Sequence, residues 1–249
     1  MRAWLALLLV CTSAGAQQAR SGLDFMGPAT QAMQRDDSQN PAMLWLHEGQ
    51  ALWHRPEGRD QRSCMSCHGD ASQSMRGVAT RYPAFDQASQ GPLNLSQRIL
   101  QCRVRYQQAA PWAPESELLL SLETYVAQQS RGLPIAPNED PRLAPFTARG
   151  QAAYTRRIGQ LDMSCAQCHD GAWDRKLAGN PITQGQATGY PIYRLEWQGM
   201  GSLQRRLRNC MTGVRAQAPL LGAAELVELE LYLAQRARGL PLETPAVRP

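Results

Sequence analysis

The sequence predicts a mainly α-helical protein made of two tandem copies of one unit, and three observations carry that prediction. The pentapeptide Cys-x-x-Cys-His occurs twice, as Cys64-Met65-Ser66-Cys67-His68 and as Cys165-Ala166-Gln167-Cys168-His169. A long-range repeat runs through most of the chain at a nearly constant offset. Each copy also holds an apolar stripe of helical period, closed by glycine and proline.

Cys-x-x-Cys-His is the attachment signature of a c-type haem. The two cysteines add to the haem vinyl groups as thioethers, and the adjacent histidine supplies an imidazole to the iron. A single copy would also suit a redox dithiol or half of a zinc site. Two copies behind an export leader point to two covalently bound haem c groups, held by Cys64, Cys67 and His68 and by Cys165, Cys168 and His169. The predicted fold class is therefore mainly α, with two tandem cytochrome c-like domains, a pseudo-repeat and long haem-wrapping loops.

In chain order, residues 1–16 read as a signal peptide. Met1-Arg2 is a basic start, Ala3 to Val10 an apolar run, and Ala14-Gly15-Ala16 a small-residue cleavage site. The run is too short to span a bilayer, and Val10 stands before Cys11 where a lipoprotein site needs a small residue. No membrane anchor is expected, and Cys11 should leave with the leader. Thioether chemistry fits an oxidising compartment, here a periplasm. The formal charge is +5, or +4 without Arg2. That modest excess suits anionic substrates or acidic partners and argues against nucleic acid.

The repeat decides the architecture. Gly49-Gln50-Ala51 matches Gly150-Gln151-Ala152, and Cys64 matches Cys165, at an offset of 101 residues. Tyr82-Pro83 pairs with Tyr190-Pro191, Arg98 with Arg206 and Cys102 with Cys210 at 108. Leu122-Glu123-Thr124-Tyr125 through Pro134 returns as Leu229-Glu230-Leu231-Tyr232 through Pro241 at 107. This predicts one cytochrome domain over 17–140 and a second over 141–249, joined by a Pro-rich linker from Leu133 to Pro145. Leu119, Leu122, Tyr125 and Val126, with partners Leu226, Leu229, Tyr232 and Leu233, trace one face of an amphipathic helix. Gly132 and Gly239 end those helices. The stretches 70–94 and 170–200, rich in Gly, Pro, Ser and Gln, read as ordered loops rather than strands. With three Phe in the chain, the haems must supply much of the apolar core.

The second axial ligand sets a haem's chemistry. His47 and His54 are the only spare histidines and both lie in the first half. Met75, Met200 and Met211 do not recur at matching positions, whereas Cys102 and Cys210 do. Two readings stand for these cysteines. One is a disulfide, which requires the halves to pack about a local two-fold axis at that point. The other is one thiolate per iron, which lowers the potential and suggests that the sulfur itself reacts. Arg98 precedes Cys102 by four residues, and Arg206 precedes Cys210 likewise, so on a helix each pair shares a face. A guanidinium there lowers the thiol pKa and can hold an oxyanion. For Arg98 the expected partner is a haem propionate. Arg205, Arg208 and Arg215 add basic character around Cys210.

Asn94-Leu95-Ser96-Gln97-Arg98 through Cys102, and Tyr190-Pro191-Ile192-Tyr193-Arg194-Leu195-Glu196-Trp197 through Arg205-Arg206-Leu207-Arg208-Asn209-Cys210, resemble the SoxA family. The likeness extends over nearly all the mature chain. SoxA is the dihaem subunit of the periplasmic SoxAX complex of sulfur-oxidising bacteria. The resemblance implies an L-cysteine S-thiosulfotransferase that oxidatively joins thiosulfate to a cysteine on the SoxY arm of the carrier SoxYZ. It implies a SoxX haem c subunit as partner and a small c-type cytochrome as electron acceptor. Carried onto this sequence, it makes Cys210 the reactive distal ligand, found as a persulfide, with Arg206 beside it, so the active site lies in the second domain. His68 and Cys102 would ligate the first iron, remote from the reaction, and His169 and Cys210 the second. Two other readings compete: a dihaem electron shuttle with inert cysteines, and a dihaem peroxidase, which would need an open ligand position.

Overall fold

The computed structural model describes residues 18–177 and 179–249; the stretch 1–16 expected to be a signal peptide, with Cys11, lies outside the described residues. The first half runs through α1 (Pro28–Arg35), α2 (Met43–His54), α3 (Cys64–His68), α4 (Ala71–Ser74), β1 (Ala84–Asp86), β2 (Gly91–Leu93), α5 (Leu95–Cys102) and α6 (Glu117–Gln128). A π-helical turn, Arg103–Gln107, continues α5. The second half repeats the plan as α7 (Ala144–Thr155), α8 (Cys165–His169), β3 (Lys176–Leu177), β4 (Asn180–Pro181), β5 (Ile192–Arg194), β6 (Gly199–Gly201), α9 (Leu203–Gly213) and α10 (Ala224–Arg236). It ends in β7 (Ala246–Arg248), which pairs parallel to β5. No helix among the described residues is long and apolar enough to cross a membrane.

The apolar stripes are buried as expected. Leu119, Leu122 and Val126 of α6 pack on Leu52 and Trp53 of α2, and Leu226, Leu229 and Leu233 of α10 pack on Tyr154 of α7. The repeated glycine explains how the helix pairs approach so closely. A Cβ on Gly49 would overlap the carbonyl oxygen of Ser121, and one on Gly150 that of Glu228. The helices stop before the repeated glycines, at Gln128 and Arg236; Gly132 and Gly239, with φ of 80° and 82°, take the turns beyond them in the left-handed region that glycine enters without a Cβ penalty.

Two expectations need correction. The stretches 70–94 and 170–200 contain short antiparallel hairpins, β1–β2, β3–β4 and β5–β6. Strands of two or three residues are too brief to show a period-2 pattern, and glycines at 91, 199 and 201 conceal them. The stretch from Leu133 to Pro145 is no loose linker at its start. Gly132 N–H donates to Leu242 O at 2.8 Å and Gly239 N–H to Ile135 O at 2.9 Å. Ile135 N–H donates to Leu240 O at 2.8 Å, and Leu242 N–H to Leu133 O at 2.9 Å. Each bond maps onto its partner when the halves are exchanged, so a local two-fold axis passes between Pro134 and Pro241. The segment around Gln34 and Asn40, in contrast, lies on the second half. Asn40 Nδ2 donates to Pro245 O at 2.9 Å, and Gln34 Oε1 accepts from Val247 N at 3.0 Å.

Glu123 and Glu230, repeat mates, both face a cavity of about 140 Å³ between the halves, with Glu115 and Asn94 also on its wall. Burial pushes Glu123 up to about 8, with repulsion from Glu230 adding to it. Burial likewise raises Glu230 to about 7, although Asn94 donates to it at 2.9 Å. Carboxyls raised above the ordinary 4.5 stabilise the fold in their neutral form. That contribution is complete below the unfolded value and is lost as pH rises through the folded one. The melting temperature is therefore expected to fall as the pH climbs from about 5 to about 8, and Glu123→Gln to flatten that fall. A wild-type melting temperature flat across this interval contradicts the expectation.

Candidate functional site

Both Cys-x-x-Cys-His segments are single helical turns held by serine caps. Ser63 Oγ accepts from Ser66 N–H at 3.0 Å, and Ser164 Oγ from Gln167 N–H at 3.2 Å. Gln167 returns the favour at Ser164 N–H, 2.8 Å, closing a capping box. Helical spacing puts the two cysteines and the histidine of each motif on adjoining faces of one turn. His169 Nδ1 donates to the carbonyl of Thr183 at 2.8 Å. A carbonyl only accepts, so the proton is fixed on Nδ1 and the Nε2 lone pair is left for a metal. Gly185, at φ 68°, lets the loop close over the ring: a Cβ there would lie 2.9 Å from His169 Cγ. In the first half the Trp53 ring lies 5.8 Å from that of His68, and Trp53 Nε1 donates to Gly69 O at 3.1 Å. Free thiols on one turn and an oriented imidazole are the donor set that haem c requires. A cleft beside His169, lined by Trp173, Gln184, Gln186 and Arg236, borders this turn.

Cys102 and Cys210 are both free thiols, which removes the disulfide reading. The local two-fold axis runs between Pro134 and Pro241, where backbone rather than sulfur joins the halves. The two thiols meet different surroundings. Burial holds Cys102 above the ordinary thiol value, only partly opposed by Arg98 and Arg105. Burial also opposes a thiolate at Cys210, yet the nearby His169 ring and the charges of Arg206 and Arg194 outweigh it, and the thiol lies below its ordinary value. Cys210 Sγ thus faces the imidazole of His169 across the second half. The methionines considered as ligands are otherwise engaged: Met200 and Met211 are buried in apolar clusters, and Met75 packs against the first-half core. His47 and His54 are exposed.

The two arginines four residues before these cysteines also differ. Arg98 does not stand free for a propionate. Its Nη2 pairs with Asp86 Oδ1 at 3.0 Å, and its Nη1 bonds Gln101 at 2.9 Å. Asp86 is buried and held down to about 2: hydrogen bonds from Ser89 and the charge of Arg98 outweigh its burial. Arg206 has no salt bridge among the described residues, and the position matching Asp86 holds Arg194. Both residues end the first strand of a hairpin and pair with a glycine, Asp86 with Gly91 and Arg194 with Gly199. Arg194 is buried, with Nη2 on exposed Glu196 at 2.9 Å and its Nε without a partner. Burial lowers its pKa, and repulsion from Arg206 lowers it further. Arg205 is committed elsewhere, stacked 4.1 Å over the Trp197 ring, and Arg215 is exposed. Arg194 is the residue that sequence reading missed. Extending the 108-residue offset from Tyr82-Pro83 to position 86 would have found it, as an acid replaced by a base.

The profile of the SoxA/TsdA cytochrome c domain matches residues 48–135 and again 149–242. The chain is 37% identical to the L-cysteine S-thiosulfotransferase subunit SoxA of Pseudaminobacter salicylatoxidans, over 92% of this chain and 80% of that protein. It is 34% identical to the subunit of the same name from Rhodovulum sulfidophilum, over 93% of this chain and 80% of that one. The fold is similar to that of a chain in the crystal structure of SoxXA from P. pantotrophus, with a TM-score of 0.89 and 32% identity over 93% of this chain and 87% of that chain.

Proposed function

The chain belongs to the SoxA branch of the SoxA/TsdA cytochrome c family, and from that premise we propose that it is the haem subunit of an L-cysteine S-thiosulfotransferase acting in thiosulfate oxidation. The observation that carries this reading is the 37% identity to an L-cysteine S-thiosulfotransferase subunit SoxA over 92% of this chain, with Cys210 and an Arg206 that has no salt bridge among the described residues both on α9. Two haem c groups would be held by Cys64, Cys67 and His68 and by Cys165, Cys168 and His169, one in each of the units 17–140 and 141–249. His68 with Cys102, and His169 with Cys210, would be the axial pairs. Bound haem iron supplies one-electron acceptors for the two electrons released when two sulfur nucleophiles are joined.

The chain's own residues do the rest. Arg206 holds the sulfonate end of thiosulfate by charge-assisted hydrogen bonds. Cys210, its thiolate form favoured by the charges around it, forms a disulfide-like bond to the outer sulfur as two electrons leave. The thiolate of a carrier arm then attacks that outer sulfur, takes the thiosulfonate and returns Cys210 as thiolate, an ordinary thiol exchange. The persulfide form of Cys210 belongs to the same reading. Thr183, through His169, keeps the opposite imidazole in one tautomer. The expected setting is the periplasm, with a SoxX haem subunit as partner, SoxYZ as carrier and a small cytochrome c as acceptor.

The test is a coupled assay. The chain, purified with its haem partner, is mixed with thiosulfate, the thiol carrier and oxidised cytochrome c. Reduction of cytochrome c that needs both thiosulfate and the carrier thiol is expected, together with a mass gain on the carrier equal to one thiosulfonate. Electron transfer without modification of the carrier would reduce the chain to a shuttle.

A further inference from the structure

We propose that Arg194 is a second anion-binding residue of the sulfur site, closing with Arg206 on the sulfonate of thiosulfate, and that Asp86 denies the first half the same role. The inference rests on the thiosulfotransferase reading and adds to it a specificity residue and a reason for the difference between the two haem sites.

The geometry is a comparison inside one molecule. Positions 86 and 194 end equivalent strands, each opposite a glycine; Asp86 reaches the helix that carries Cys102 through Arg98, and Arg194 is near enough to Arg206 and Cys210 for its charge to act on both. In the first half the basic residue of that helix, Arg98, is neutralised by Asp86 at 3.0 Å. An anion approaching Cys102 would have to displace a buried carboxylate that two contacts from Ser89 also hold, at 2.9 Å each. In the second half the acid is gone and a second guanidinium stands in its place. Arg194 is 9% exposed, so its charge is little screened by solvent. Its only ion pair among the described residues is with Glu196, whose side chain is 46% exposed and therefore a weak counter-charge. Two like charges held together in a partly buried site are costly unless an anion joins them. The unpartnered Nε of Arg194 supplies a further N–H donor in that place. Tyr190 and Arg248 lie around the same group, and the buried Arg248 is already matched by Glu243 at 2.6 Å. A divalent oxyanion answers the excess; a neutral or cationic ligand does not.

The test uses the haem-loaded chain with its partner subunit, thiosulfate kinetics, and calorimetric titration with sulfate, an unreactive dianion of the same oxygen geometry. Arg194→Gln is expected to raise KM for thiosulfate about tenfold or more, the worth of one charge-assisted contact. Saturated turnover should change little, and sulfate affinity should fall in parallel. Arg194→Lys should recover part of the loss. Glu196→Gln, an exposed change that removes the counter-charge, should move both quantities the other way. Unchanged KM and sulfate affinity in a folded Arg194→Gln overturns the inference. If that variant fails to fold, Arg194→Lys decides instead: it loses the guanidinium's forked donors, and KM and sulfate affinity equal to wild type in it overturn the inference. Wild-type protein that binds sulfate but never turns over thiosulfate defeats the transferase reading alone, and the sulfate affinities of the variants then still decide the place of Arg194.

Discussion

Cys210→Met is expected to leave both haem motifs loaded and the second half folded, while abolishing thiosulfate-dependent reduction of cytochrome c. Methionine is close to cysteine in polarity and supplies another sulfur. It cannot ionise, and it cannot make or break a disulfide bond. The site around Cys210 favours a thiolate through His169, Arg206 and Arg194, and all of that charge arrangement has no use for a thioether. The loss should be on the order of a thousandfold or more, the scale seen when a nucleophile is removed from an otherwise intact site. Cys102→Met is the matching control. Its thiol is raised rather than lowered and its arginine is already paired with Asp86, so turnover should persist within a few-fold. Haem stain and absorbance per polypeptide check that attachment survives in both. Activity of Cys210→Met within about tenfold of wild type would remove the sulfur-transfer role from this residue.

A second large effect belongs to the fold. Gly150→Ala should destabilise the chain by about 3 kcal/mol, the upper range for forcing atoms into a packed contact. Intrinsic helix preference works in the opposite direction, since alanine is better than glycine inside a helix by about 1 kcal/mol. The collision must therefore dominate: the new Cβ meets the backbone carbonyl of Glu228, and the Tyr232 Cβ lies 2.9 Å away. Backbone cannot move aside as a side-chain tip can, so α7 and α10 must separate and expose their apolar faces. Gly213→Ala, where nothing lies within 4 Å, is the contrast and should be neutral or slightly stabilising. Thermal unfolding of the two variants separates propensity from packing; equal melting temperatures would show that the crossing has room to relax.

Much of this protein was legible before any coordinates. The Cys-x-x-Cys-His turns, the paired cysteines at 102 and 210, the arginines at 98 and 206 and the stripes on α6 and α10 are all local patterns, each spanning at most a dozen or so residues. The hairpins were missed because strands of two or three residues carry no readable period. The stretch after Leu133 was read as a linker because proline content marks a break in helix, yet says nothing about whether the next residues find a partner 107 positions away. Arg194 stands within the family pattern, and its opposition to Asp86 shows only when the 108-residue offset is carried on to position 86; its effect on the site is a sum over neighbours that the sequence does not rank.

What the chain's sequence by itself determined was the chemistry on offer: two haem-binding turns, two matching thiols, and a duplicated scaffold to hold them. A covalent motif needs only neighbouring residues, so its meaning survives without a fold. How the surroundings of the two thiols differ was decided only by tertiary structure. Burial, the orientation of His169 by Thr183, and the presence of either Asp86 or Arg194 beside the helix all act through space. Electrostatic energy depends on distance and desolvation, and residues far apart in the chain become neighbours only when the halves have folded.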